Sequence, residues 1–116
     1  MSNDWVIFRY GDILLGLAEA EFNLGNNAAA LTIVNQIRAR AGGLTAFAGP
    51  LTADQLLAER GREMYVENVR RQDLIRFGKY EGPWWEMTAT STDLRIFPIP
   101  KEQMDANSKL TQNPGY

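Results

Sequence analysis

Two amphipathic segments of nearly equal length sit on either side of one short break, Gly25-Asn26-Asn27. In the first, Tyr10, Ile13, Leu14, Leu17, Ala18 and Leu24 recur at three- and four-residue steps, while Arg9, Asp12, Gly16, Glu19 and Asn23 mark the opposite face. That period is the signature of an amphipathic helix, and Gly25 ends it. Asn26 or Asn27 can cap a second helix, whose expected buried stripe is Ala30, Leu31, Val34, Ile37 and Ala41. Arg38 and Arg40 fall in its last turn, where cations suit the helix dipole, and Gly42-Gly43 stops it. Helices joined by so short a link must pack antiparallel, so the chain starts from a helical hairpin.

The rest of the sequence extends this pattern and then leaves it. After a loop from Leu44 to Pro50, Thr52 and Gln55 form a capping box flanked by Leu51 and Leu56 as a hydrophobic staple. The third helix carries Leu56, Leu57, Gly61 and Met64 on one side. A glycine inside a helix costs about 1 kcal/mol against alanine, so Gly61 marks a close approach or a bend. Asn68 tolerates a left-handed conformation and is expected to end that helix. A shorter fourth helix should follow from about Val69 to Phe77, stopped by Gly78. Beyond Gly82-Pro83 regularity fades: Leu94 to Phe97 reads as extended, and Pro100 as the opening of a helical turn through Met104. The expected fold is all-α, one domain over residues 1–116, with two antiparallel helical hairpins and an irregular C-terminal cover.

Composition narrows the chemistry. Hydrophobic residues make up 45% of the 116 and charged residues 22%, which suits a folded globule. A net charge of -2 lacks the concentrated basic surface that nucleic-acid binding needs. Without cysteine or histidine, disulfides, thiolate zinc sites, cysteine nucleophiles and serine–histidine relays are impossible within the chain. The longest apolar run, Ile13 to Ala18, is far shorter than a membrane span. No cofactor or metal is expected.

The first hairpin has the spacing of a tetratricopeptide unit when Gly25 is placed at that repeat's inter-helix glycine. Ala18 and Ala30 then stand at the small packing positions that let two helices approach closely. Repeat stacks need about three units for stability, so a lone unit must lean on something else.

In order along the chain, four segments resemble the C-terminal part of the SusD/RagB family of nutrient-binding lipoproteins. They are "FRYGDILLGLAEAEFNLG" (Phe8 to Gly25), "ALTIVNQIRARAG" (Ala30 to Gly42), "ERGREMYVENVRRQDLIRFGK" (Glu59 to Lys79) and "FPIPKEQMDAN…LTQNPGY" (Phe97 to Tyr116). Two departures are visible. Asn68 stands where the family has glycine, and Arg71-Gln72 replaces an aromatic pair before Asp73. Family members are several times longer, so the expectation is a C-terminal fragment that begins at an added methionine and lacks the signal and lipidated cysteine. The resemblance implies a parent at the outer-membrane surface of a Bacteroidetes-type bacterium. Such a parent binds a glycan or similar nutrient and hands it, without bond cleavage, to a SusC-like TonB-dependent transporter. The alternative is a free-standing tetratricopeptide-like module for protein–protein interaction.

Three groups of residues invite a functional reading. Glu59, Glu63 and Glu67 place three carboxylates on one helical stripe. Glycosidase chemistry needs carboxylates opposed across a cleft, so helical i,i+4 salt bridges to nearby arginines are the better account, with Arg70 and Asp73 as a further pair. "DANSK" (Asp105 to Lys109) lacks the glycine and distal glutamate of a calcium loop and reads as a turn. "KYEGPWWEM" is the candidate binding segment: Tyr80, Trp84 and Trp85 flank a Gly-Pro turn, and aromatic faces there can stack on sugar rings. Anchoring the loop to the helices is the commoner role for such side chains. Trp5 is expected to pack at the entrance to the first helix, and Tyr116 to swing back through a Pro114-Gly115 type II turn as a plug. A fragment cut from a larger fold should also expose apolar helix faces, which makes self-association an expectation.

Overall fold

A computed structural model describes residues 6–83 and 85–116, so Trp5 and Trp84 lie outside the described residues. The elements are α1 (Tyr10–Asn23), α2 (Asn27–Arg40), α3 (Ala53–Glu63), α4 (Arg70–Arg76), a 3-10 helix (Thr92–Arg95) and α5 (Lys101–Ala106). There is no strand among the described residues, and the fold class is all-α. The chain divides into two compact units, Met1–Asp73 and Leu74–Tyr116.

In the first unit α1 packs against α2 and also meets α3. Gly25 makes the α1–α2 turn with φ +84°, a left-handed conformation that costs a residue with a Cβ. Ala18 and Ala30 are fully buried, as close helix packing requires, and Leu15, Val34 and Leu56 share the same core. Leu15, Val34 and Leu56 each contribute roughly 1.5–3 kcal/mol by leaving water. In α2 the inward residues are Ala30, Val34 and Ile37, while Leu31 is half-buried and Ala41 exposed. The inward side of α1 is Leu15 and Ala18; Tyr10, Ile13, Leu17 and Leu24 are exposed. The apolar stripe read from the sequence is therefore split, because α2 and α3 reach only one side of α1.

The asparagines after Gly25 do different work from capping. Asn26 is the N-cap residue of α2, yet its side chain makes no cap bond and donates instead to Glu21 Oε2 at 2.7 Å. Asn27 forks onto Leu51, donating to its carbonyl at 2.9 Å and accepting from its N–H at 2.6 Å. Asn35 makes the same fork with Phe47, at 3.0 and 2.8 Å. Two side-chain amides thus stitch the α2–α3 loop to α2 where no backbone ladder exists.

At the start of α3 the Thr52–Gln55 capping box is complete, with Leu51 and Leu56 both buried. The helix ends at Glu63, five residues before Asn68, because Val66 and Asn68 both adopt positive φ in the turn that follows. Gly61 marks a close approach of a side chain: a Cβ there would lie 2.7 Å from Arg70 Nη1. Arg70 uses that space to donate to the Leu57 carbonyl at 2.8 Å.

The second unit has little regular structure. α4 closes with N–H bonds from Gly78 to Ile75 and from Lys79 to Leu74. Thr92–Arg95 winds into a 3-10 turn, capped by the Ser91 hydroxyl, where extended backbone was expected from Leu94. Pro100 precedes α5 as its N-cap residue. Pro114-Gly115 forms the expected turn, with Gly115 at φ +88°. Tyr116 is no plug, being 47% exposed. Its hydroxyl donates to the Ile96 carbonyl at 2.9 Å, Asn113 donates to Phe97 O at 2.7 Å, and Gln112 pairs with the Ile99 backbone in both directions. The tail is a set of side-chain tethers to the Ile96–Ile99 segment.

Candidate functional site

The carboxylate stripe is built into the structure of the first unit, but not through neighbours on its own helix. Buried Glu59 accepts from Arg38 Nη1 of α2 at 2.6 Å and from Arg62 at 2.5 Å. Glu63 takes Arg9 at 2.5 Å and also Arg40, while Glu67 receives Arg9 Nε at 2.8 Å on each oxygen. Among the ion pairs of these carboxylates described above, the Arg62–Glu59 pair is the one local to α3, at i,i+3, and the expected i,i+4 pairing gives way to bridges between elements. Asp73 likewise sits against Arg60 Nε at 2.9 Å, and Arg60 reaches Asp12 of α1 at 3.1 Å.

Arg9 is the central clamp. Its third nitrogen donates to the Glu63 carbonyl and lies 3.3 Å from Met64 Sδ, so the residue before α1 is fixed to the end of α3. The hydrogen bonds it donates, first to Glu67 and then to Glu63, hold its guanidinium pKa above its already high ordinary value. Each of these carboxylates is thus committed to at least one arginine. Their arrangement welds α1, α2 and α3 together. The sequence signal was only the charge alternation; which arginine meets which carboxylate depends on helix packing.

The aromatic segment lies in the second unit. Tyr80 is half-buried in the turn after α4, and Trp85 is 92% exposed, which removes it from any anchoring role within this chain. Trp84 is outside the described residues. The segment is held at both ends: Thr90 N–H bonds Glu81 O at 3.1 Å, and the Arg95 guanidinium pairs with the Glu81 carboxylate. That hydrogen bond keeps the Glu81 carboxyl below its ordinary pKa. A tethered loop presenting an open indole face can offer flat apolar surface to a ligand ring.

A second feature had no counterpart in the sequence. A cleft of about 320 Å³ opens between the start of α1 and the end of α2, lined by Arg9, Tyr10, Leu14, Ile37 and Arg40 among others. In "DANSK", the Asn107 carboxamide accepts from Lys109 N–H and Lys101 pairs with Asp105, which is turn and helix chemistry. Among the described residues no cluster of acidic or other donor side chains is arranged for a metal ion. No helix of the described residues is long and apolar enough to cross a membrane.

Comparison with known proteins extends the four-segment resemblance to the whole chain. The starch-binding protein SusD of Bacteroides thetaiotaomicron is 34% identical over 124 residues, covering 99% of this chain and 22% of that protein. The SusD-like protein P38 of Formosa agariphila is 32% identical over 122 residues, covering 96% of this chain and 24% of that protein. The chain thus spans roughly a quarter of the length of these curated relatives. A family model described as the SusD family matches residues 1–116, and the chain belongs to that family.

Proposed function

We propose that the chain is the C-terminal, tetratricopeptide-like portion of a surface-exposed outer-membrane protein that binds a glycan or related nutrient and passes it to a TonB-dependent transporter. The observation that carries this reading is the 34% identity, across nearly all of the chain, to a protein named for binding starch. Binding and hand-over need no bond cleavage, in keeping with carboxylates that are committed to arginines. The helical unit serves as scaffold and as a docking surface for the transporter. Tyr80, Trp84 and Trp85 supply the aromatic stacking surface, supported by the exposure of Trp85.

Glycan-array binding by the full-length parent tests the loop. With Trp84→Ala plus Trp85→Ala, binding should fall by about tenfold or more, since each stacked ring contributes of order 1 kcal/mol beyond buried area. Undiminished binding would remove these residues from the site. The rival reading, a free-standing protein–protein interaction module, draws on the open face of α1. An upstream reading frame with a lipidation cysteine and a transporter gene beside it supports the first reading; a genuine start at Met1 supports the second.

A further inference from the structure

Residues 85–89 are all exposed, whereas Glu81, Gly82 and Thr90 on either side of them are half-buried. Glu86, next to the open indole of Trp85, has φ +61°, a left-handed conformation that a residue with a Cβ keeps only where its surroundings impose it. Apolar packing does little of this, since Leu74 is the buried apolar side chain of this unit among the described residues. The constraint comes instead from polar links that converge on the 3-10 turn Thr92–Arg95. On the loop side, Arg95 pairs with the Glu81 carboxylate, and the Thr90 N–H closes the loop on the Glu81 carbonyl at 3.1 Å. On the other side, the C-terminal turn lies against the same short element. A Cβ on Gly115 would stand 2.5 Å from Asp93 Cβ and 2.6 Å from its Cγ, and the Tyr116 hydroxyl donates to the Ile96 carbonyl at 2.9 Å. Asp93 is joined in turn to Ser91, the neighbour of Thr90. Its N–H donates to the Ser91 hydroxyl at 3.2 Å, and its carboxylate accepts from that hydroxyl at 2.9 Å.

We propose that Gly115 and Tyr116 are positioning residues for ligand binding: acting through the 3-10 turn, they fix the shape in which the loop presents Trp85. This rests on reading Trp85 as part of the ligand-binding surface. The 3-10 turn is four residues long, too short to absorb a displacement between its two sides, so the tethers on those sides act in series. Glycine is what the contact with Asp93 requires, because position 115 combines φ +88° with no room for a Cβ. The linkage matters for an exposed aromatic loop. Stacking on a sugar ring needs the indole held in one orientation, and every other loop shape lowers the apparent affinity in proportion to its population. The tail therefore shapes binding through Asp93 and Arg95 and needs no contact with the ligand.

Gly115→Ala should force the tail off Asp93, and Tyr116→Phe should remove one link while leaving the turn in place. The reporter is the Thr90 amide, which is bonded to Glu81 and not to the tail. In the 116-residue chain its hydrogen exchange should rise about tenfold or more in Gly115→Ala and about two- to threefold in Tyr116→Phe, with α1 to α3 unchanged. With 5-fluorotryptophan incorporated, the fluorine resonance of Trp85, assigned by its loss in Trp85→Phe, should broaden or split in Gly115→Ala. Glycan-array binding by the full-length parent should weaken about three- to tenfold in the same variant, with the same glycans recognised. Unchanged Thr90 exchange and an unaltered resonance overturn the proposal, as does exchange that rises equally in α1 to α3. A loosened loop with undiminished glycan binding, where Trp84→Ala plus Trp85→Ala loses that binding, overturns the positioning role alone. Binding undiminished by the double tryptophan variant removes the reading of the site and the proposal together.

Discussion

The two compact units solve the same problem with different materials. Among the described residues, Leu74 is the one buried apolar side chain of the second unit; the others, from Leu15 to Met64, belong to the first. The first unit adds charges inside that core: Arg38, Glu59, Arg60 and Asp73 are buried and bridged between elements. The second unit orders its chain by side-chain bonds to backbone, such as Gln112 on Ile99, Asn113 on Phe97 and Tyr116 on Ile96. Burial is shared by many residues at once and makes a region cooperative, whereas a tether fixes only the two segments it joins. The exposed indole of Trp85 belongs to the tethered unit, and the buried helical hairpin to the other.

Substitutions can break this contrast. Glu59→Gln should be the most damaging, because it leaves the buried Arg38 guanidinium without its counter-charge; a loss of about 3–5 kcal/mol is expected in urea unfolding of the chain. An unchanged midpoint would show that the bridge is not structural. Leu56→Ala, at a fully buried position, should cost about 2–5 kcal/mol through lost burial and the cavity left behind. Thr52→Ala removes one half of the capping box and should lower stability by about 1 kcal/mol. In the second unit the effect should be small and local. Tyr116→Phe deletes one tether, worth roughly 0.5–1.5 kcal/mol, and should raise hydrogen exchange near Ile96 while leaving that of α1 to α3 alone. If exchange rose throughout both units, they would not be energetically separate.

The smallest expected effect is on pH. Glu81 has its carboxyl pKa lowered in the folded chain by Arg95, so its contribution is present above its ordinary value of 4.5 and is lost as the pH falls through the lower folded value. Acid titration followed through the Trp85 region should show this step, and Glu81→Gln should abolish it. Persistence of the step in that variant would assign it to another group.

Much of this architecture was legible in the residues. Apolar period, the Gly25 break, Thr52 with Gln55, and Pro114-Gly115 each act through bonds within a few positions of themselves, so their outcome needs no knowledge of distant chain. The four segments between Phe8 and Tyr116 likewise resembled the family to which the chain belongs. The turn after α3 was misjudged, since Val66 takes a left-handed conformation that a β-branched residue adopts only under constraint from its surroundings. Which side of α1 faces inward was not legible either. Its apolar residues cover both Leu15 with Ala18 and the row from Tyr10 to Leu24, and periodicity cannot say which of two apolar sides has a neighbour. The acidic stripe posed the same difficulty: spacing allowed pairing along α3, and the arrangement of three helices gave Glu59 to Arg38 and Glu63 and Glu67 to Arg9. The sequence by itself determined the α1–α2 break at Gly25, the Thr52–Gln55 cap and the closing turn, because those depend on contacts a few residues apart. Only the tertiary structure decided the open face, the clamp at Arg9 and the exposure of Trp85, because each depends on which distant groups arrive beside it.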